Sequence, residues 1–260
     1  MISSYETITV AAPAAGVTLV TLNRPEAANA FNTRMAMELT LAFLGLRDER
    51  CIVLTGAGAR AFCAGADLKE RDGMTDEAWS AQHEVFEAMG HAILAAPMPV
   101  IAAVNGAAFG GGCEIALLCD FIYAAEGARF ALTEVTLGIM PGLGATQTLT
   151  RGAGARRAKE VIMTGRPFSA AEALDWGVAN RVCAGDRVLD DAVETACRIA
   201  ANAPLAVQAV KRAVGAGADR PLGDAMAMEL EQYYRLFPTH DRIEGVRAFN
   251  EKRKPSFKGE

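Results

Sequence analysis

Residues Pro99–Asp120 read PVIAAVNGAAFGGGCEIALLCD, and this stretch decides the fold class. Val100–Gly106 is a short apolar run rich in branched residues, the pattern of a strand buried on both faces. Gly110-Gly111-Gly112 breaks the run, and Cys113–Cys119 follows with helical character. Phe121–Ala125 then reads as another buried strand. Strand, glycine turn, short helix and strand in close succession describe an α/β unit. Working outward, Glu6–Ala11 and Val17–Asn23 predict a hairpin around Pro13 and Gly16. Thr33–Arg47 has helical spacing, with Asn32 or Thr33 as its N-cap. Arg50–Gly56 predicts a strand, and Thr75–Ala96 a long helix stopped by Pro97. From about Ala145 the pattern is nearly all helical. The expected organisation is an α/β core over residues 1–200 followed by a helical region over 201–260.

The 260 residues carry 26 Lys+Arg against 31 Asp+Glu, a net charge of −5, with 51% apolar and 22% charged residues. That composition is globular, and its mild acidity argues against a general nucleic-acid binder. The six cysteines include no C-x-x-C pair and there are three histidines. No metal site and no disulfide framework is expected, only buried free thiols in a reducing cytoplasm. The start, MISSYETITV, lacks the charged and apolar regions of a secretory leader. Ala88–Cys119 is nearly uncharged, but Pro97, Pro99, Asn105 and the glycine triplet interrupt it, so no membrane span is expected. Gly56-Ala57-Gly58-Ala59-Arg60-Ala61 matches G-x-G-x-x-A after a strand. Another turn follows it where a dinucleotide fingerprint needs a helix, so a plain surface turn is the better reading.

Charge spacing carries the functional signal. Glu114 is the only charged residue between Glu87 and Asp120, and Glu134 the only one between Arg129 and Arg151. A carboxylate in apolar surroundings costs several kcal/mol unless paired or protonated. Burial also raises its pKa, which suits acid or base work near neutrality. Glu114 alone fits a first-turn helix carboxylate equally well. Two isolated carboxylates, each beside a glycine turn, favour a paired site.

Glycine turns supply the complement. The N–H groups of Gly110-Gly111-Gly112, at a helix start, can face a developing negative charge. Cys63-Ala64-Gly65-Ala66-Asp67 offers a second such turn, entering a helix that Asp67 caps with Glu70 as capping-box partner. Two donor loops and two carboxylates suit enolate chemistry, in which a carbonyl is polarised and a proton moves at its α-carbon.

At these residues the chain resembles the crotonase superfamily, the enoyl-CoA hydratase/isomerase family. The resemblance spans LNRPEAANAF (Leu22–Phe31), FCAGADLKE (Phe62–Glu70), PVIAAVNGAAFGGGCEIALLCD (Pro99–Asp120), FALTEVTLGIMPGLGATQTLTR (Phe130–Arg151) and FNEKRKPSF (Phe249–Phe257). It implies an α/β spiral of ββα units with a C-terminal helical trimerisation region, assembled as a homotrimer or a homohexamer. It further implies an oxyanion hole from the backbone N–H groups of Ala66 and Gly111, with Glu114 and Glu134 as the catalytic pair. Glu114 is taken as the base that activates water and Glu134 as the acid at Cα, a division in which the two can share one water. Gly142 matches a water-positioning N–H. Ala64, Ala66 and Leu68 match the CoA pocket, with Arg24 and Lys252 as candidate partners of its phosphates. CoA is part of the substrate, and neither cofactor nor metal is implied.

Isomerases, dehalogenases, decarboxylases and thioesterases of the superfamily usually keep the oxyanion hole but lack one or both glutamates, so the resemblance, with both present, implies a hydratase. Thr148 stands where close relatives often carry Arg, and Glu26 where many carry a basic residue. Ala66–Met74 is also similar to hydratases of branched acyl-CoAs such as 3-methylglutaconyl-CoA. Met74 and the Trp79–Phe86 helix region are expected to wall the acyl pocket. An isomerase or acyl-CoA hydrolase on the same fold, and a non-catalytic CoA-ester binder, are the competing readings. The expected partner is an acyl-CoA thioester, with no nucleic acid and no membrane.

Overall fold

The structure, a computed structural model, describes residues 5–260. The first four residues of the stretch read for a leader lie outside the described residues. Two sheets run side by side. The larger has the order β1 (Ile8–Ala14), β2 (Val17–Leu22), β3 (Cys51–Gly56), β5 (Val100–Val104), β7 (Phe121–Ala125), β10 (Arg181–Cys183). The smaller has the order β4 (Ala61–Cys63), β6 (Ala107–Phe109), β8 (Arg129–Ala131), β9 (Phe168–Ser169). Apart from the β1–β2 hairpin and the β8–β9 pair, every pairing is parallel. Successive turns of chain place one strand in each sheet and then a helix, which is the ββα spiral the resemblance implies.

Parallel strands covered on both faces read as continuous apolar runs, and every residue of β3 and β5 is buried. Much of the alanine content resolves here. Ala102, Ala103, Ala108, Ala116, Ala192 and Ala196 have no exposed surface, so small side chains fill the narrow layer between sheets and helices.

The helices are α1 (Thr33–Gly45), α2 (Leu68–Arg71), α3 (Asp76–Leu94), α4 (Gly111–Leu118), α5 (Ala145–Ala153), α6 (Ala155–Thr164), α7 (Ala170–Asp175), α8 (Val188–Ala200), α9 (Pro204–Gly217), α10 (Leu222–Arg235) and α11 (His240–Asn250). Asn32 caps α1 by accepting from the Met35 N–H, and Thr75 caps α3 by accepting from Ala78. Helix α4 begins at Gly111 rather than Cys113. The nearly all-helical reading beyond Ala145 overlooks β9 and β10. Strands of two or three residues have no period of their own, and β10 exists because β7 offers it an edge. The G-x-G-x-x-A segment joins β3 to β4 without opening a helix. All six cysteines are free thiols. Five are buried and Cys197 is half-buried, which corrects the expectation that all six are buried. No helix among the described residues is long and apolar enough to cross a membrane.

Glu38 ties α1 to the chain entering β1. Its carboxylate accepts from the N–H groups of Glu6 and Thr7, both at 2.9 Å, from the Thr7 hydroxyl at 2.6 Å and from Arg34 Nε at 2.7 Å. Burial pushes its pKa up, but these hydrogen bonds outweigh burial and hold it at about 2, below the ordinary 4.5. A depressed carboxyl stabilises the fold above its unfolded pKa, so this contribution is lost as pH falls from 4.5 through 2. Glu38→Gln is expected to lower stability by about 1–3 kcal/mol at pH 7. The shift should appear in the urea midpoint and shrink on acidification.

Candidate active site

One cavity of about 540 Å³ gathers the predicted groups: Ala64, Ala66, Leu68, Gly111, Glu114, Glu134 and Gly142 all line it. The β4–α2 turn and the start of α2 bring the first three, the first turn of α4 brings Gly111 and Glu114, and the segment between β8 and α5 the other two.

The two glycine loops touch. Gly65 takes φ +98, and a Cβ there would lie 2.8 Å from the Phe109 carbonyl oxygen and 3.3 Å from the Gly111 nitrogen. Only glycine allows that approach. The loop that carries the Ala66 N–H is thereby packed against the backbone that carries the Gly111 N–H. Neither N–H donates a hydrogen bond within the described residues. Gly111 opens α4, where the first N–H groups of a helix have no intrahelical acceptor.

Glu114 and Glu134 differ in surroundings. Glu114 is 3% exposed, and its Oε1 accepts from the N–H groups of Leu143 at 2.7 Å and Ala145 at 3.1 Å. Burial raises its pKa above the ordinary value, and those backbone donors pull against the rise. Both carboxylate oxygens of Glu134 are buried without a hydrogen-bond partner, the only such side-chain atoms among the described residues. Burial, joined by the nearby Glu114 charge, pushes Glu134 up to about 7. One carboxylate is thus anchored by backbone donors that oppose the upward push of burial. The other is unanchored and half-protonated near neutrality, so the environments push the pair apart.

The apolar wall comes from α3 and the segment before α5. Trp79, Ser80, His83 and Phe86 line the cavity, as do Ile139 and Met140. Met74 is not among the lining residues, which corrects that expectation. Its place is taken by Arg71, a cation whose sequence context among charged residues gave no sign of burial. His83 faces Gly142 across this wall. Its Cε1 lies 2.6 Å from where a Gly142 Cβ would stand, so a side chain at 142 would displace the imidazole.

Asp67 caps α2 through the Lys69 N–H. The capping box is not formed. The Asp67 N–H donates to the Phe31 carbonyl, while the Glu70 carboxylate accepts from the Thr33 N–H and Gln82 Nε2, both at 2.8 Å. The parallel contact between Phe31 and Ala66 draws that N–H away. Arg24 pairs with Asp67 at 2.9 Å and donates to the Ala30 carbonyl. Neither Arg24 nor Lys252 lines the cavity. Lys252 sits on an exposed turn after α11.

Residues 13–260 match the family model described as enoyl-CoA hydratase/isomerase. The chain belongs to the enoyl-CoA hydratase/isomerase family. It is 41% identical to the 2,3-dehydroadipyl-CoA hydratase of Escherichia coli K12, over 94% of this chain and 95% of that one. It is 40% identical to the mitochondrial enoyl-CoA hydratase of Pongo abelii, over 93% and 83% of the two chains. The crystal structure of an enoyl-CoA hydratase from Bacillus anthracis superposes with a TM-score of 0.95 at 43% identity, covering 98% of this chain and all of that one. The fold is therefore the crotonase fold, and the chain is an enzyme of this family.

Proposed function

We propose that the enzyme adds water across the double bond of a 2-enoyl-CoA to give the 3-hydroxyacyl-CoA. The observation that carries this is the pairing of an anchored carboxylate with an unpartnered one in the same cavity as two free N–H donors.

In this reading the thioester oxygen accepts from the Ala66 and Gly111 N–H groups. Donors already in place stabilise charge as it develops, with no reorganisation during the reaction. Water sits between the carboxylates, with the Gly142 N–H helping to hold it. Glu114 takes a proton from the water as its oxygen bonds to Cβ. The C=C π pair moves toward Cα and the thioester oxygen, forming an enolate. Glu134 then gives its proton to Cα from the same face, so addition is syn. Glu114 ends protonated and Glu134 ionised, and the next water carries the proton back. Ala64, Ala66 and Leu68 flank the CoA portion, with Arg24 and Lys252 near its phosphates, and the α3 wall faces the acyl chain. No metal or redox cofactor enters these steps. The test is loss of the conjugated enoyl-thioester absorbance with crotonyl-CoA. Double-bond migration, or thioester cleavage without hydration, would replace this reading with an isomerase or a hydrolase.

The reading extends to assembly. Helices α9–α11 carry Val214, Leu222, Met226, Tyr234, Val246 and Phe249 at 56–83% exposure, Phe249 being the most exposed. So large an apolar surface fits an interface between copies. Residues 201–260 are accordingly read as the assembly region. Light scattering is expected to give the mass of three or six chains of 27.4 kDa, and a monomer would overturn it.

A further inference from the structure

Arg71 is 9% exposed and lines the cavity. It is the only Lys or Arg that does so among the described residues. Its Nε donates to Gln82 Oε1 at 2.8 Å. The two terminal nitrogens have no hydrogen-bond partner among the described residues, and no carboxylate lies within 4.0 Å of the guanidinium. The nearest acid in sequence, Glu70, is occupied by Thr33 and Gln82.

Aromatic rings fix the guanidinium plane. Its carbon lies 4.0 Å from the Trp79 ring centroid and 5.0 Å from that of Phe86. Phe86 in turn packs edge-on against Phe31, 4.8 Å between centroids, and the Phe31 ring abuts Gly111. Two rings therefore separate the cation from the oxyanion donors. Burial lowers the Arg71 pKa, partly offset by the Glu70 charge. A buried cation without a counterion is costly, and an arginine fork held by stacking is built for a planar oxyanion.

We infer that Arg71 recognises a carboxylate at the far end of the acyl chain, so that the preferred substrate is a short dicarboxylic 2-enoyl-CoA. This rests on the hydratase reading of the site. The aliphatic part of such a chain crosses the Phe31–Phe86 wall. Its carboxylate meets the two free Nη groups, across the Phe86 and Phe31 rings from Gly111. A phosphate of CoA is the other anion at hand. Arg71 is buried under Trp79 and Phe86 on the wall assigned to the acyl chain, which favours the carboxylate.

The experiment compares kcat/KM for glutaconyl-CoA and for its neutral counterpart, pent-2-enoyl-CoA, in the wild type, Arg71→Met and Arg71→Lys. The wild type is expected to prefer the diacid. Arg71→Met should lower the diacid-to-neutral ratio by about 100-fold, the scale of a lost charge-assisted pair. Arg71→Lys keeps the charge without the fork, and its ratio should fall between the two. A wild type without preference for the diacid overturns the inference, even if no variant folds. A ratio unchanged by Arg71→Met, with both substrates weakened alike, assigns Arg71 to CoA and overturns it too. Failure to hydrate either thioester would instead strike the hydratase reading.

Discussion

Glu114→Gln and Glu134→Gln are each expected to lower kcat for crotonyl-CoA hydration by roughly 10²–10⁴-fold, the range of a positioned acid or base. Glutamine is the informative substitution at both sites. At position 114 its amide oxygen can still accept from Leu143 and Ala145, so the turn before α5 keeps its shape while basicity is lost. At position 134 no hydrogen bond is broken, because none is made. KM should move little in either variant, since neither side chain is assigned to CoA binding. Near-normal turnover in either would sink the two-carboxylate mechanism.

The two variants also differ in how they respond to pH. Glu134 is pushed up to about 7 by burial and the Glu114 charge, and as the acid it must carry a proton. Its active form is lost as pH rises, so kcat/KM should fall through about 7. The same shift enters stability with a definite sign. The folded pKa lies above the ordinary 4.5, so the native state holds a proton that the unfolded chain has released. The wild type therefore loses stability as pH rises from 4.5 through 7. Glutamine does not titrate, so the Tm of Glu134→Gln relative to wild type should climb over that window. A Tm difference that is flat with pH would mean that Glu134 ionises freely in the fold.

How far the sequence could be read follows from what each feature depends on. Glu114 and Glu134 were visible because isolation in apolar segments is a local property of the chain, and burial with raised pKa follows from it. The strands β3, β5 and β7 were visible for the same reason. The small sheet was not. Its two- and three-residue strands are defined by their partners, as β4 by β6 and β8 by β9. Arg71 was hidden by its neighbours. In LKERD it reads as one charge of a solvated run, and only the packing of α2 under Trp79 and Phe86 takes it out of water. The Asp67–Glu70 capping box had the right spacing, yet the Phe31–Ala66 bridge claimed the N–H it needed. Long-range contacts decided each of these cases.

Gly65→Ala is expected to lower kcat by about 10²–10³-fold, the cost of losing an aligned oxyanion donor, while the enzyme still folds. The added methyl would meet the Phe109 carbonyl at 2.8 Å and the Gly111 nitrogen at 3.3 Å. Both are backbone atoms, so relief requires the two loops to separate. Those loops carry the Ala66 and Gly111 N–H groups, and a shift of either moves a donor away from the thioester oxygen. The positive φ adds strain of its own, which must be told apart from this effect. Gly154→Ala supplies the comparison: Gly154 takes φ +82 between α5 and α6, with nothing within 4 Å of an added Cβ. Both variants should lose a similar increment of Tm from backbone strain. Only Gly65→Ala should lose turnover, and its loss should fall on kcat rather than KM, because the donors bind most tightly to charge that exists only in the transition state. Equal kcat in the two variants would show that the contact between the loops does not set the oxyanion geometry.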